Sequence, residues 1–505
     1  MTEEIQDIFD EIRNIMQPDM DCTARYHALD ALLLRALKDR TRHSPVDFTH
    51  TAARLYWLCK QTGHPSHPLE VFRARAGRIQ KGLFLPDGED EAYDLKAVCE
   101  GLAAFYQTHV PEDVQKRLPR HWRPAPAPAE KVSQAKRIRI TVHRWDEHFI
   151  YGKDHTHPTE QLLKVEYADE TDRTFADLKE QLYEGAQLNL LSVKTIKAEG
   201  AYPYVLKPEI LVLDPDFLID ITALCACIKP YGYSAYTHLL NKFAPPARSA
   251  AIQLGNAANQ FLDDCVNENR DLERAETSEN EVFRLGSAER ERFTQNADGT
   301  AEAELYLRSM QNSFRLSPLA WSTLPDIDRD FFNRCEMQFR HIRQTVRNSF
   351  SAAGIDIRQT EVELEPSFLC EALGLQGRMD LLTRNADKLV ELKSGKADEY
   401  PYRSPKDEHR LQMALYKEIL YYNLDRRHEQ VQSYLFYSRY PGLYAVDVPR
   451  SHIRRVMALR NAILHIEHRL RRGESRALID ELTEERLNVN GRGDRLYTRY
   501  LRPRM

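Results

Sequence analysis

Apolar residues recur at helical spacing through the first part of the chain. Ile5, Ile8, Phe9, Ile12 and Ile15 form the first series. Two more series follow: Leu29, Leu32, Leu33, Leu34 and Leu37, then Ala52, Leu55, Leu58 and Cys59. Because residues three or four apart share one face of a helix, this pattern predicts a helical domain over residues 1–122. None of these residues indicates chemistry of its own.

The pattern changes after a run in which Pro and Ala alternate from Pro124 to Ala129. Such a run favours a stiff, extended spacer, and we place the linker at residues 123–136. Apolar and polar residues then alternate in short stretches. These predict strands over residues 137–143, 162–167, 188–194 and 204–213. We expect a small β-rich, barrel-like domain over residues 137–220, which either binds single-stranded nucleic acid or, more commonly for such barrels, braces its neighbour.

The second half of the chain mixes strand and helix patterns. Strands are predicted around Val362 and Leu364, over residues 378–383 and 388–393, and again over residues 432–439 and 444–448. Helices are predicted over residues 409–422 and 451–472, the second with Ser451 as its N-cap. The fold class is therefore multidomain α/β, with an α/β domain over residues 221–450. A charged, solvated helical insertion is expected at about residues 267–350, and a basic helical segment over residues 451–505.

Two of these strands carry residues with catalytic potential, Asp380, Glu391 and Lys393. Alternate residues of a strand share a face, so Glu391 and Lys393 point the same way while Leu392 enters the core. A hairpin turn over residues 384–388 would bring Asp380 alongside them. Two carboxylates hold a hard cation such as Mg²⁺, and a lysine stabilises charge that develops on phosphorus. The alternative is an ordinary solvated strand edge, which the same triplet also describes.

The surrounding residues favour the catalytic interpretation. Gly377 precedes Asp380, and Gln412 and Tyr416 stand one turn apart on the predicted helix. This combination resembles the PD-(D/E)XK nuclease superfamily, in particular its RecB-like branch, over about residues 245–450. The resemblance implies a restriction-endonuclease-like mixed sheet flanked by helices. It further implies metal ligation by Asp380 and Glu391, catalysis by Lys393, and a role for Gln412 and Tyr416 in shaping the site and the DNA path.

The third metal ligand is left open by the sequence. Members of this branch carry a His on a preceding helix, four residues after a Gly, and in this chain Asn259 occupies that position after Gly255. An Asn carbonyl ligates Mg²⁺ but is neutral. We therefore take Asn259 or Glu365 as the candidates. Further acids lie close to them in sequence: Asp263, Asp264 and Glu363.

Residues 209–225 also resemble the entry to the nuclease part of the eukaryotic Okazaki-flap nuclease–helicase. In that group four cysteines hold an iron–sulfur cluster, one before the nuclease core and three after it. This chain has Cys225 and Cys227 near the first place but no cysteine after Cys370. Since a cluster needs its full set of thiolates, we predict no iron–sulfur cluster.

Composition and charge place the chain among ordinary globular proteins. The net charge of −5 does not by itself favour nucleic acid, but residues 450–505 contain 14 Arg and 7 acids. That segment either contacts phosphates or is a solvated helix face. Eight scattered cysteines, an acidic start without a leader pattern and no long apolar run predict a cytoplasmic protein with no membrane partner.

The predicted activity is that of a Mg²⁺- or Mn²⁺-dependent deoxyribonuclease. By resemblance, its substrate is single-stranded or flapped DNA in repair or replication. No phosphate loop is present, so we predict no ATP site and expect a helicase partner or a missing helicase domain. The alternative is a catalytically weak or inactive DNA-binding or scaffold module that keeps the fold. A CRISPR-adaptation or restriction-type nuclease is a third option, disfavoured by the missing cysteines and the lack of a recognisable specificity domain.

Overall fold

The computed structural model describes residues 3–483, except residues 18, 45–47, 49–50, 123–133, 160, 199, 231, 246–248, 278–298, 325, 356, 358–361 and 400–402. The Pro/Ala run and the basic tail beyond residue 483 lie outside the described residues. The chain divides into two compact units. The first unit is Met1–Phe217, Glu371–Gly374 and Met457–Glu481. The second unit is Leu218–Cys370, Leu375–Val456 and Leu482–Met505.

The first unit begins with helices, as the apolar spacing predicts. They are α1 Glu3–Ile15, α2 Cys22–Arg40, α3 Thr51–Thr62, α4 His67–Gln80, α5 Gly88–Phe105 and α6 Glu112–Gln115. Most described members of the predicted apolar series, among them Ile12 and Leu58, bury their side chains in one core with Phe9, Leu33 and Phe72. Asp21 caps α2 by accepting hydrogen bonds from the backbone amides of Thr23 and Ala24, which satisfies two otherwise unpaired donors.

The first unit continues with a β-barrel. Its strands are β1 Gln134–Trp145, β2 Phe149–Asp154, β3 Leu163–Glu166, β4 Gln187–Lys197, β5 Tyr204–Lys207 and β6 Ile210–Leu213, with helix α7 Leu178–Gln181 between β3 and β4. The pairing order is β1-β2-β3-β5-β4, and β4 pairs back onto β1, which closes a ring of five strands. β3 and β5 run parallel, the other pairs are antiparallel, and β6 adds to β4.

Two strand boundaries in this region differ from the sequence prediction. β1 begins at Gln134, inside the predicted linker, because its first residues pair with the end of β4. The single strand predicted over residues 204–213 is divided into β5 and β6 by Pro208, which cannot donate to a ladder.

In the first unit, a buried arginine connects a C-terminal helix to the end of β6. Arg460 lies on helix α16 Arg450–Arg471, which helix α17 Ser475–Thr483 follows. Its side chain is fully buried and donates hydrogen bonds to the backbone carbonyls of Leu213, Asp214 and Phe217. Helix α16 starts at Arg450, directly after Pro449, so the predicted N-cap Ser451 lies inside its first turn instead.

The second unit is built on a mixed sheet. Its strands are β7 Ile219–Asp220, β8 Ile228–Lys229, β9 Gly232–Tyr233, β10 Val362–Leu364, β11 Ser367–Cys370, β12 Leu375–Arg378, β13 Leu381–Thr383, β14 Lys388–Lys393, β15 Gln432–Tyr437 and β16 Tyr444–Val446. The main sheet has the order β10-β13-β14-β15-β16, and a smaller sheet has the order β11-β12-β7. β14 and β15 run parallel at the centre of the main sheet.

Helices pack around these strands. They are α8 Ile221–Cys225, α9 Tyr236–Phe243, α10 Ala250–Thr277, α11 Gly299–Leu316, α12 Pro318–Ser322, α13 Arg329–Gln344, a π-helical turn Thr345–Ser349, α14 Phe350–Ala352 and α15 Asp407–Leu424, with a 3₁₀ turn at His428–Gln430. Helices occupy the described part of residues 267–350, as expected, but this segment is not solvated throughout. Phe331, Phe339 and Ile342 are buried in one core with Leu381 and Val390 of the sheet. Within the described residues, no helix is both long and apolar enough to cross a membrane.

Candidate active site

Asp380 lies where the chain passes from one sheet to the other. The sequence predicts an unbroken strand over residues 378–383, but β12 ends at Arg378 and β13 begins at Leu381. The prediction is wrong because the two halves pair with different strands, β12 with β11 and β13 with β14. The backbone amide of Leu392 donates to Asp380 Oδ2 at 2.6 Å. This bond fixes the carboxylate beside β14, as the predicted hairpin requires.

Glu391 and Lys393 lie side by side on β14. Lys393 Nζ donates to Glu391 Oε1 at 2.8 Å, whereas Leu392 between them is buried in the core. The expected alternation along this strand is thus confirmed. Because β13 and β15 flank β14, the pair stands in the middle of the sheet rather than on an edge. The structure therefore brings Asp380, Glu391 and Lys393 together.

Helix α15 supports Glu391 through a relay of hydrogen bonds. Gln412 Nε2 donates to Glu391 Oε1 at 2.8 Å and to Tyr416 Oη at 3.1 Å, and the Tyr416 hydroxyl donates to the carbonyl of Arg378 at 2.7 Å. Both side chains are buried, with 3% and 1% of their surface exposed. The pair therefore orients Glu391 from within the protein, and its part in a DNA path stays a prediction.

The close approach of β12 to the Tyr416 ring requires a glycine at residue 377. A Cβ at residue 377 would lie 2.9 Å from Cε1 of Tyr416 and 3.4 Å from Cδ1 of Ile221. Any larger residue would push the Tyr416 ring away from the Arg378 carbonyl. The small residue thus lets β12 approach α15 closely enough for the relay to form.

The carboxylates of the site perturb one another. Burial, and next the neighbouring Glu391, raise the pKa of Asp380 well above its usual range. Burial lowers the pKa of Lys393, but the attraction of Glu391 and Asp380 outweighs it and leaves that pKa above its ordinary value. Lys393 is therefore a cation at neutral pH, while ionised Asp380 lacks sufficient positive charge around it.

Helix α10 carries candidates for a third ligand along one face. Gly255, Asn259 and Asp263 follow at intervals of four residues, so they share that face. A Cβ at residue 255 would lie 3.2 Å from Ser394 Oγ, directly after Lys393. At the other end of this face, burial and then Glu365 raise the pKa of Asp263 to about 7. Asn259 lies between these two positions, half-buried.

Glu365, the other candidate for the third ligand, lies just beyond strand β10. β10 ends at Leu364, and Glu365 has a left-handed backbone with φ of 52°. Its side chain pairs with Arg378 at 3.1 Å, and its charge acts on both Asp263 and Asp380. Glu361, just before β10, lies outside the described residues.

The donor set fits a divalent cation. Glu391 Oε2 is buried without a hydrogen-bond partner in the structure, while Oε1 accepts from both Lys393 and Gln412. An orphaned carboxylate oxygen next to a second, destabilised carboxylate is relieved by a hard cation. Among the described residues, no three His, Cys, Asp or Glu side chains converge as a preformed metal group. Metal binding by Asp380 and Glu391 would therefore require a third ligand to move towards them.

His409 also borders the site. Its Nδ1 lies 2.8 Å from Tyr437 Oη, and the side chain is half-buried. Burial, and next the charge of Lys393, lower the pKa of His409 to about 3. The imidazole is thus neutral and fixed near Lys393. No signal in the sequence distinguishes it from a surface histidine, since its partner Tyr437 is distant along the chain.

A family model for the PD-(D/E)XK nuclease superfamily matches residues 220–485, more than half of the chain. The chain belongs to this superfamily. No curated protein matches it. The matched range includes β14, α10 and α15, and hence every candidate residue of the site. Nuclease superfamily members of this fold are generally metal-dependent hydrolases, and the mixed sheet with flanking helices agrees with the predicted α/β class.

Proposed function

We propose that the protein is a Mg²⁺- or Mn²⁺-dependent deoxyribonuclease that hydrolyses phosphodiester bonds. The observation that supports this best is the juxtaposition of Asp380, Glu391 and Lys393, with Glu391 Oε2 buried and unpartnered. A buried carboxylate oxygen without a hydrogen-bond partner is costly, and a cation bound at Glu391 Oε2 would remove that cost. The superfamily membership of the chain agrees with this assignment.

Each residue has a distinct part in the proposed reaction. Asp380 and Glu391 would hold the cation, with Asn259 or Glu365 as the third ligand. A bound divalent cation would activate water and neutralise charge on the phosphate. Lys393 stays protonated beside the carboxylates and donates to an oxygen of the scissile phosphate as its negative charge grows. Gln412 keeps Glu391 in the orientation that leaves Oε2 free.

The proposed substrate is single-stranded or flapped DNA in repair or replication. This part of the proposal rests on the resemblance of residues 209–225 and of the site motifs to the RecB-like branch and the Okazaki-flap nuclease–helicase. Because the chain has no phosphate loop, unwinding would come from a helicase partner or a helicase domain outside this sequence.

Cleavage of end-labelled DNA tests the proposal. Single-stranded, flapped and duplex substrates are incubated with Mg²⁺, Mn²⁺ or chelator. We expect Lys393→Ala to lower the rate by about 100-fold or more, since a buried donor to the developing charge is lost. Asp380→Ala should abolish metal-dependent cleavage altogether. The product lengths would show whether a free end is required.

Lys396→Ala is the matched control, because Lys396 is an exposed lysine three residues after Lys393. It should cleave like the wild type. Wild-type rates in Lys393→Ala or Asp380→Ala, with correct folding verified by circular dichroism, would refute the assigned site.

The second candidate function is a weakly active or inactive DNA-binding module that keeps the fold. Two observations favour it: Asn259 stands where related proteins have a His, and no preformed group of three ligands exists among the described residues. Calorimetric titration with Mn²⁺ separates the two candidates. A nuclease should bind Mn²⁺ in a manner that depends on Asp380, whereas an inactive module should bind DNA equally well with and without the metal.

A further inference from the structure

The barrel of the first unit has the architecture of an oligonucleotide-binding fold. Five strands close in the order β1-β2-β3-β5-β4, β3 runs parallel to β5, and helix α7 joins β3 to β4. In barrels of this type, ligands lie across strands 2 and 3, between the loop that follows strand 1 and the loop that follows strand 4. In this barrel, the corresponding face is formed by β2 and β3, between the loop that follows β1 and the loop that follows β4.

Aromatic and basic side chains meet at that place. Arg144 on β1 lies with its guanidinium 3.8 Å from the centre of the Tyr151 ring on β2. Tyr202, from the loop between β4 and β5, packs on Tyr151 with ring centres 5.3 Å apart. Arg144 Nη2 also donates to Tyr202 Oη at 3.2 Å. Tyr151 is thus nearly covered, whereas Arg144 is exposed and Tyr202 half-buried, so these two present planar groups to the solvent.

A second cation–aromatic pair lies next to the first on the same face. Lys164 on β3 is directly opposite Tyr151 in the ladder, and its Nζ lies 3.8 Å from the centre of the Phe149 ring. Ile196 of β4 adds an exposed apolar side chain, 47% of its surface being accessible. It is opposite Val205, which is in turn opposite Lys164. Side chains opposite each other in a ladder share a face, so all of these groups line one surface.

The charges of this surface, taken with their partners, favour an anionic ligand. Asp146, the carboxylate next to Tyr151, accepts hydrogen bonds from Tyr151 Oη at 3.2 Å and from the backbone amides of His148 and Phe149. The carboxylates Glu166 and Asp169 both pair with Lys207, at 2.8 and 3.0 Å. The charged groups of Arg144 and Lys164 lie over aromatic rings instead. The opposite end of the same strands is covered by the N-terminal helices, where Lys153 pairs with Glu70 at 3.0 Å. The open end of the barrel therefore combines stacking planes with cations, which is the chemistry that holds unpaired bases and their phosphates.

We propose that this surface, formed by Arg144, Phe149, Tyr151, Lys164 and Tyr202, binds single-stranded nucleic acid. Bases stack on Tyr202 and on the Arg144 guanidinium, while Arg144 and Lys164 contact phosphates. A duplex cannot stack its bases on Tyr202 and Arg144, because those bases are already stacked on one another. The binding surface shares no residue with the candidate active site, and the proposal does not depend on whether that site cleaves DNA.

Binding is measured on the full chain carrying Lys393→Ala, with chelator present so that no cleavage occurs. The probes are fluorescent oligothymidylate and oligouridylate of about 16 nucleotides, the upper end of the site size of one such barrel, and a duplex of the same length. Three variants are compared: Arg144→Ala/Lys164→Ala, Tyr202→Ala and Tyr202→Phe. Arg35→Ala/Lys116→Ala removes the same charge from exposed positions in the N-terminal helical region and is the matched control.

We expect Arg144→Ala/Lys164→Ala to weaken single-strand binding at least fivefold. The slope of log affinity against log salt should become less steep by about 1.4, since each phosphate contact on a single strand contributes about 0.7. Tyr202→Ala should also lose about fivefold or more, equivalent to about 1 kcal/mol of stacking, while Tyr202→Phe retains its ring and its affinity. Preference for oligothymidylate or oligouridylate identifies the ligand as DNA or RNA.

Wild-type affinity in both alanine variants would overturn the proposal and leave this face to a ligand of another class, such as a protein. An equal loss in Arg35→Ala/Lys116→Ala would overturn it as well, because the effect would then be one of total charge. Equal binding of the duplex, with the same dependence on Tyr202, would exclude stacking of unpaired bases. The two proposals can fail independently. If the surface variants lose binding while Lys393→Ala cleaves DNA at the wild-type rate, the proposed nuclease site is refuted and the binding surface is not.

Discussion

The chemistry of single residues in the candidate site depends on which oxygen of Glu391 is free. Oε1 accepts hydrogen bonds from Lys393 and Gln412, and Oε2 has no partner in the structure. Gln412 is itself held by Tyr416, whose hydroxyl donates to the Arg378 carbonyl. This relay selects one orientation of the carboxylate and keeps Oε2 available for a cation. Gln412 is therefore a positioning residue rather than a catalytic one.

Replacing Gln412 by Met, which has a similar size but no donor, should weaken metal use more than folding. A hydrogen bond to a charged group contributes about 1.5–3 kcal/mol, so the concentration of Mg²⁺ for half-maximal cleavage should rise about 10- to 100-fold. Tyr416→Phe removes only the second link of the relay and should cause a smaller rise. Cleavage rates measured against Mg²⁺ concentration give both values. An unchanged Mg²⁺ requirement in Gln412→Met would show that Glu391 needs no such support.

At the scale of elements, the sequence predicted the strands and helix of the site but not the break between β12 and β13. Alternation and turn residues near Asn385 were enough to predict the hairpin, and the Gln412–Tyr416 spacing was enough to place both on one helix face. The break at Asp380 depends on pairing with β11, which no local pattern encodes. The same limit applies to Asp263 and Glu365, because the approach of α10 to the strands is set by packing across the core.

The close packing of β12 against α15 gives a prediction at this scale. Gly377→Ala places a Cβ 2.9 Å from the Tyr416 ring, so the ring must move and the relay to Glu391 must loosen. We expect a loss of about 1–3 kcal/mol in stability, typical of overpacking, together with reduced cleavage. Thermal unfolding and the cleavage assay measure the two effects.

Gly395→Ala is the control for that substitution. A Cβ at residue 395 meets nothing within 4 Å, although this glycine lies only two residues after Lys393. It should leave stability and cleavage close to those of the wild type. Equal behaviour of the two variants would mean that the approach of β12 to Tyr416 is not what limits the site.

At the scale of the whole molecule, local patterns predicted the helices and most strands of the first unit but could not predict how the barrel closes. Closure requires β1 to pair with β4 and β3 to pair in parallel with β5, contacts between residues far apart in sequence. The surface that contains Arg144 and Tyr202 exists only after these pairings form. Charge counts along the chain could not indicate it either, since the net charge is −5 and each cation lies on a different strand from its aromatic partner.

In the molecule as a whole, metal binding, stability and pH are coupled through the carboxylates of the site. The pKa of Asp380 is raised in the folded protein, and that of Asp263 is raised from 3.8 to about 7. Because the folded state then binds more protons than the unfolded state, these groups make the metal-free protein less stable as pH rises from about 4 through those pKa values. A cation that binds the ionised carboxylates reverses this trend, and at 100 times its dissociation constant it stabilises by about 2.7 kcal/mol.

Thermal unfolding with Mn²⁺ or chelator, at about pH 5 and about pH 8, tests this linkage. We expect the stabilisation by Mn²⁺ to be larger at the higher pH, where the carboxylates ionise more readily. Asp380→Asn keeps an acceptor for the Leu392 amide but removes the charge, so it should be more stable than the wild type in chelator at the higher pH and gain little from Mn²⁺. If Mn²⁺ stabilises Asp380→Asn as much as the wild type, the cation binds elsewhere and Asp380 is not a ligand.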